Sequence, residues 1–390
     1  MNMREFTLSR KPFTADKIRH NRPKPGLKAQ HLSCIDALIK LAKAQVKGNK
    51  ELMPIRYIEP VAPNSAEGLV ARVYPQIKRE FGALVEPFTL HSPSPELLAG
   101  AWSACRESLL VGTVRRDIKE AVAATVSRIN RCSYCVDAHT IMLNATSARN
   151  SADAIIHHRD DKIQDPAVRS IVEWAAATRS PGAKVLLSPP FSQNDAPEII
   201  GTAVFFHYVN RMASVLLSET PLPSNHPLLK GFFKRTAGWF FSRAIHRPKP
   251  LGASLELLPT TELPVDLAWT KTSPNIAGAF ARFAAVVDRA GRDFIPEDLR
   301  NCVKKHVLAW DGKDPGLGRH WVEEALNGFD EKSKDIGRLV LLTALAPYQV
   351  DKGVVNAFTT HFIEDDRLLG ALAWGSFTAA RRVGAWLRTS

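Results

Sequence analysis

Two cysteines, a histidine and a glutamate carry the chemistry most readily read from this chain. The run Asn130-Arg131-Cys132-Ser133-Tyr134-Cys135-Val136-Asp137-Ala138-His139 sets two thiols three residues apart and an imidazole four residues further on, with Glu120 upstream. On a helix, positions i, i+3 and i+7 lie within about 60° of one another, so Cys132, Cys135 and His139 share a face. His139 follows Cys135 by one turn, close enough for its imidazole to take or give a proton at the sulfur. A free thiol with a pKa of about 8.5 is only about 3% ionised at pH 7. With Asn130 as N-cap, Cys132 falls in the first turn, where unpaired N–H groups and the positive dipole end favour a thiolate. Glu120 lies on the preceding helix and reaches the thiols only if tertiary packing brings it back.

The same residues admit other chemistry. Two small buried cysteines beside a satisfied histidine need have no function beyond packing. Two thiolates, an imidazole and a carboxylate could hold zinc, although structural zinc sites usually draw a second ligand pair and none is evident here. Covalent haem attachment is excluded, because Val136 stands where the histidine should follow the second cysteine. A thioredoxin-like domain would need β-strands around the motif. A redox dithiol on a helical scaffold is the remaining reading.

The elements that must position these residues are helices. Leu97, Leu98, Ala101, Trp102, Cys105 and Leu109 recur at intervals of three and four from Pro95 onward. Ile118–Ile129, Cys132–Ala145, Ala167–Thr178 and Pro197–Leu217 continue the pattern. The second half repeats it over Asn275–Ala290, Pro296–Ala309, Gly318–Leu326, Asp335–Leu345 and Asp366–Leu387. Pro54–Pro95 shows only short periodic pieces. Alternating strands and hairpins are lacking, which predicts an all-α fold. An offset of 181 aligns Val114–Ala145 with Ile295–Leu326 without a gap, matching Asp117, Val122, Val126 and His139 to Asp298, Val303, Val307 and His320. Two related helical domains are expected, over 51–219 and 265–390, with a connector over 220–264. Within the connector, Gly231–Ile245 is basic and aromatic; it reads as packing across a domain seam in preference to an amphipathic helix on a membrane surface.

Composition bounds the reading. Hydrophobic residues make up 45% of the 390 positions and charged residues 23%, which excludes general disorder. Five cysteines do not make a disulfide scaffold. The net charge of +13 is uneven. Residues 1–50 hold twelve Lys and Arg against three Asp and Glu, a net +9, so the other 340 residues carry +4. The basic character therefore belongs to an N-terminal extension read as a solvated tail, without the organised basic face a nucleic-acid partner needs. The best apolar window, Ile199–Leu217, contains His207, Asn210 and Arg211, so no membrane span is expected. With no secretory leader in view, the expected location is the cytoplasm.

Glu-x11-Cys-x2-Cys-x3-His across two helices of an all-α chain resembles the alkylhydroperoxidase D-like (AhpD-like) and carboxymuconolactone decarboxylase superfamily. Glu120, Cys132, Cys135 and His139 carry the resemblance, which covers roughly Pro95–Leu217. It implies a peroxide-reducing dithiol with Cys135 attacking, Cys132 resolving, and His139 and Glu120 relaying protons. It further implies a hydroperoxide substrate, a dithiol or thioredoxin-like electron donor, and no cofactor or metal; self-association is left open. Helix-end electrostatics alone would favour Cys132 as the attacker. Tyr134 stands where the family often has a histidine. With His207, Asn210 and Arg211, which share one face of a later helix, it is a candidate for the pocket wall; the alternative for those three is a polar domain seam. At the 181 offset the second half has Asn301, Lys313, Gly316 and His320, so a catalytically silent copy is expected. The competing functions are a decarboxylase-like enzyme using His139 and Glu120 without the thiols, and a helical interaction module without catalysis.

Overall fold

The computed structural model describes residues 55–146, 149–217, 245 and 247–387. The chain divides into two units, Met1–Leu52 and Met53–Ser390, and every described residue belongs to the second. The basic extension over 1–50 and the stretch Gly231–Ile245, apart from Ile245, lie outside the described residues.

The second unit is all-α. Among the described residues there is no strand, only an isolated bridge between Ile55 and Leu217. Thirteen α-helices of six or more residues organise the described part: α1 (Gly68–Glu80), α2 (Pro95–Cys105), α3 (Arg116–Ile129), α4 (Ser133–Ala145), α5 (Arg149–Ile156), α6 (Pro166–Ala176), α7 (Ala196–Leu216), α8 (Pro274–Phe294), α9 (Glu297–Ala309), α10 (His320–Ala325), α11 (Glu331–Leu345), α12 (Lys352–Thr359) and α13 (Asp365–Trp386). Several start where local chemistry says they should. Proline at the first position opens α2, α6 and α8, where its fixed φ fits and its missing N–H costs nothing. Asp165, Asp330 and Asp351 accept backbone N–H bonds at the heads of α6, α11 and α12. α1 lies in the proline-rich stretch where only fragments of periodicity were legible. It forms because Val70, Val73, Tyr74 and Ile77 make one buried stripe.

α7 runs through the middle, buried along nearly its whole length. It packs on α3 on one side and on α13 on the other. It is also the one helix among the described residues long and apolar enough to cross a membrane, but 94% of its apolar window is covered by the rest of the protein. The core claims the apolar surface that a lipid reading would need. α2 crosses α8 closely, and Gly100 permits it: a Cβ there would stand 2.9 Å from Cδ2 of Phe283. One continuous apolar core thus spans helices from both halves of the sequence.

Two buried charge clusters fix the segments that lead to the site. α2 continues as a π-helical turn, Arg106–Leu110. There Arg106 bonds Glu80 at 2.7 Å and Glu107 at 2.5 Å, while Glu107 accepts from Gly252, Ser254 and Asn275. Lys119 donates to Glu198 at 2.6 Å, and Glu198 also accepts the backbone N–H groups of Thr113 and Val114. Every buried charge here has a partner, as burial requires. The second cluster pins the start of α3, the helix that carries Glu120.

Candidate active site

The reversal between α3 and α4 is short and strained. Asn130 ends α3, its N–H bonded to Val126 O. Arg131 takes a left-handed conformation, φ +56°, which is uncommon for a non-glycine residue. Cys132 then returns its N–H to Ser127 O at 3.0 Å and becomes the N-cap of α4. The expected capping role of Asn130 is therefore corrected. The helix starts later because the turn consumes Asn130 and Arg131. The side chain of Asn130 instead donates to His207 Nδ1 at 3.1 Å and Asn210 Oδ1 at 3.0 Å. It is Cys135 that lies in the first helical turn.

Cys132 and Cys135 are both free thiols, each 3% exposed. Burial pushes the Cys135 thiol well up, the hydrogen bond with Cys132 pushes it further, and a hydrogen bond from Asn210 works the other way. The resting group is a neutral thiol, although Cys135, and not Cys132 as the sequence predicts, occupies the first turn, where the helix start favours a thiolate. Desolvation outweighs it.

One turn on, His139 receives what the sequence alone could not assign. Its Nδ1 lies 2.7 Å from Glu120 Oε2, and the other carboxylate oxygen of Glu120 accepts from Arg116 Nε at 2.7 Å. Glu120 is fully buried. Burial pushes its carboxyl up, but the adjacent Arg116 guanidinium and the hydrogen bond with His139 outweigh burial and hold it below the ordinary carboxylate value. The glutamate is therefore an anion in the interior, fixed between a guanidinium and an imidazole.

Cys135, His139 and Tyr134 line a cavity of about 200 Å³. Its walls are otherwise chiefly apolar, from Phe81, Val85 and Phe88 on one side and Phe205, Phe206 and Val209 of α7 on the other. Cys132 is not among the lining residues, so Cys135 is the sulfur of the pair that faces the space. Tyr134 donates to Glu86 Oε2 at 2.5 Å, and burial pushes its phenol far up, so it serves as a neutral donor.

The other candidates separate. Asn210 belongs to the dithiol's surroundings: it bonds Cys135, accepts from Asn130 and donates to Ser127 Oγ at 3.1 Å. His207 is a bracing group. Thr178 donates its hydroxyl to Ala175 O and so accepts from His207 Nε2 at 3.0 Å, leaving Nδ1 to accept from Asn130. Burial first, then Arg211 and Arg179, drive its pKa well below the usual value, so it is neutral. Arg211 turns toward the second half, where it bonds Ala344 O and stacks over Trp310. Neither His207 nor Arg211 lines the cavity. Arg116, Glu86 and the lining thiol Cys105 were missed in the sequence. Only Arg116 left a trace there, a cation four residues before Glu120 on one helix face.

The comparisons with known proteins follow the same outline. A model of the carboxymuconolactone decarboxylase family matches residues 95–177, which include the whole thiol, imidazole and carboxylate cluster. A Mycobacterium tuberculosis protein named alkyl hydroperoxide reductase is 41% identical over 336 residues, 85% of this chain and 95% of its own. The N-terminal stretch has a different likeness: residues 6–60 match a model of RNA 3'-terminal phosphate cyclase. The cyclase of Sulfurisphaera tokodaii is 57% identical over 42 residues, only 12% of its length. From residues 95–177 and from a likeness that spans nearly the whole of a relative, the chain belongs to the AhpD-like, carboxymuconolactone decarboxylase superfamily.

Proposed function

We propose that the protein reduces organic hydroperoxides through a Cys132–Cys135 dithiol, with His139 and Glu120 moving the protons. The observation that carries this reading is the placement of Cys135 beside a chiefly apolar cavity, hydrogen-bonded to a second thiol and one turn from a buried His139–Glu120 pair. The name of the mycobacterial relative supports the same chemistry.

In the first step the Cys135 thiol passes its proton to His139, whose imidazolium the Glu120 anion stabilises. The thiolate attacks the terminal peroxide oxygen, the O–O bond breaks, and the alkoxide takes a proton from His139 and leaves as an alcohol. Cys135 is now a sulfenic acid. The Cys132 sulfur displaces its hydroxyl, which leaves as water with one proton, and a disulfide forms. An external dithiol donor returns two electrons and two protons. The neutral resting state of Cys135 makes His139 essential, since no thiolate waits in advance. The apolar lining suits an alkyl group better than hydrogen peroxide, whose two polar ends find few partners there.

The experiment is turnover of cumene hydroperoxide with a dithiol donor, read beside the protein mass. The expected outcome is peroxide-dependent oxidation of the donor and a loss of two hydrogens mapped to the peptide holding both sulfurs. Turnover of a lactone-bearing carboxylate that survives both Cys→Ser changes, with no reduction of peroxide, would instead favour decarboxylase-type use of His139 and Glu120. No turnover with any dithiol donor would favour the non-catalytic module.

We further propose that the second half is a silent copy of the first, retained for packing. α9 starts at Glu297, the position matched to the start of α3 at Arg116, and Val303 and Val307 are buried like Val122 and Val126.

A further inference from the structure

A larger cavity, about 420 Å³, lies in the second half among α8, α9 and α13, apart from the dithiol. Five cations line it, Arg292, Arg300, Lys304, Arg381 and Arg382, against two carboxylates, Asp266 and Asp288, a formal surplus of three positive charges. One guanidinium engages both carboxylates. Arg381 donates to Asp266 at 2.6 and 2.7 Å and to Asp288 at 2.9 Å. The remaining cations have no acidic partner among the described residues. Arg300 uses only Nη1, on backbone carbonyls at the end of α8. Arg382 lies over the Trp386 ring at 5.3 Å, and its Nε is shielded from solvent with no hydrogen-bond partner. A charged donor in that state lacks the bond that burial ordinarily demands.

The wall is not wholly polar. Trp374, Val307 and Leu308 contribute apolar surface, and Leu308 is 64% exposed. A concave space of this size lies within the range of small-molecule sites, roughly 300–1,000 Å³. Planar guanidinium groups pair two-pronged with phosphate and carboxylate oxygens alike. We propose that this cavity binds a small organic polyanion, carrying two or more phosphate or carboxylate groups on a partly apolar skeleton. Such a ligand would offset the surplus charge and meet the guanidinium and ammonium groups that have no acidic partner.

The test is isothermal titration of the full chain with ATP, citrate and pyrophosphate, at fixed ionic strength set with NaCl. At least one probe is expected to bind one-to-one and saturably, with a dissociation constant below about 1 mM. The Lys304→Gln, Arg382→Gln double variant should weaken that binding by about tenfold or more, the loss of charge-assisted contacts, with unchanged far-UV circular dichroism. Should that variant fail to fold, Lys304→Gln alone, at an exposed position, should still weaken binding about threefold. The proposal is overturned if none of the three probes saturates, if NaCl alone displaces the bound probe at modest concentration, or if affinity is indifferent to the substitutions. ATP or pyrophosphate binding without citrate would assign the phosphate class, and the reverse would assign the carboxylate class.

Discussion

The α3–α4 and α9–α10 regions start alike and end differently. In the first, the chain turns within three residues, and α4 carries Cys135 and His139 into the core. In the second, α9 ends at Ala309 and α10 does not begin until His320, so an extended loop occupies what would be the head of the helix. Asn301, Lys313, Gly316 and His320, matched to Glu120, Cys132, Cys135 and His139, are all exposed. His320 keeps the residue type and loses the environment. A histidine in water has no Glu120 to hold its proton and no neighbouring sulfur to serve. The loop has another use. Gly312 sits against the backbone of Arg179 in a conformation, φ +90°, and with a clearance, 1.9 Å for an added Cβ, that only glycine tolerates. Asp314 pairs with Arg179 at 2.6 Å and reaches Arg131 at 3.4 Å, beside the turn that holds Cys132. Burying a helix start, more than keeping residue types at fixed spacing, separates the region that can do chemistry from the one that braces it.

The hardest test of that contrast exchanges the thiols. Cys135→Ser should lower peroxide turnover by a factor on the order of 10³ or more, while Lys313→Cys with Gly316→Cys should add none. Steady-state donor oxidation reads both, and any dithiol-dependent activity from the grafted pair in a Cys135→Ser background would break the comparison. Cys132→Ser should still consume about one equivalent of peroxide per chain and then stop, since the sulfenic acid has no resolving partner.

A somewhat smaller effect is expected at the proton relay. Glu120→Gln should cost about 10² in kcat/KM, the usual range for removing acid–base assistance. The pH dependence follows from the shifts at both groups. The Cys135 thiol is pushed above its ordinary value, so in His139→Ala, where no imidazole takes its proton, the residual turnover should climb as pH rises from 6 to 9, by up to about tenfold per unit while thiolate is scarce. A flat profile in that variant would mean that Cys135 is already ionised. Glu120 is held below its ordinary value, so its stabilising contribution is complete above the ordinary carboxylate range and disappears as pH falls through its lower folded value. Urea midpoints of the wild type and Glu120→Gln should therefore differ at pH 7 and converge as pH falls to about 3 and below.

Asp314→Asn probes the brace. Its partners are partly exposed, so the expected loss is about 1 kcal/mol, with a few-fold drop in turnover as the turn around Arg131 loosens. Denaturant melts and peroxide assays on the same preparation check both parts. His320→Ala should be the least consequential, within about 0.5 kcal/mol of wild type and with turnover unchanged. A large loss of activity there would show that the second region is not silent.

Much of the helical order was present in local pattern. The apolar spacing of α2, α3, α6, α7 and α13 gave their positions to within a few residues, because a helix repeats every 3.6 residues whatever it later packs against. α1 escaped, since Pro75 and its short periodic pieces hid the stripe, and α12 and α5 were too brief to stand out. The two thiols and the histidine were visible because they share one helix.

The sequence by itself determined which residues could do redox chemistry and that helices would carry them, since both are properties of neighbours along the chain. The tertiary structure decided the rest. Glu120 meets His139 across 19 residues, Asn210 reaches Cys135 from α7, and the cavity closes between α7 and the segment around Phe88. It also decided that Cys135 is a protonated thiol, because the desolvation that sets its pKa comes from helices distant in the chain, and no spacing rule records how deeply a side chain will be covered.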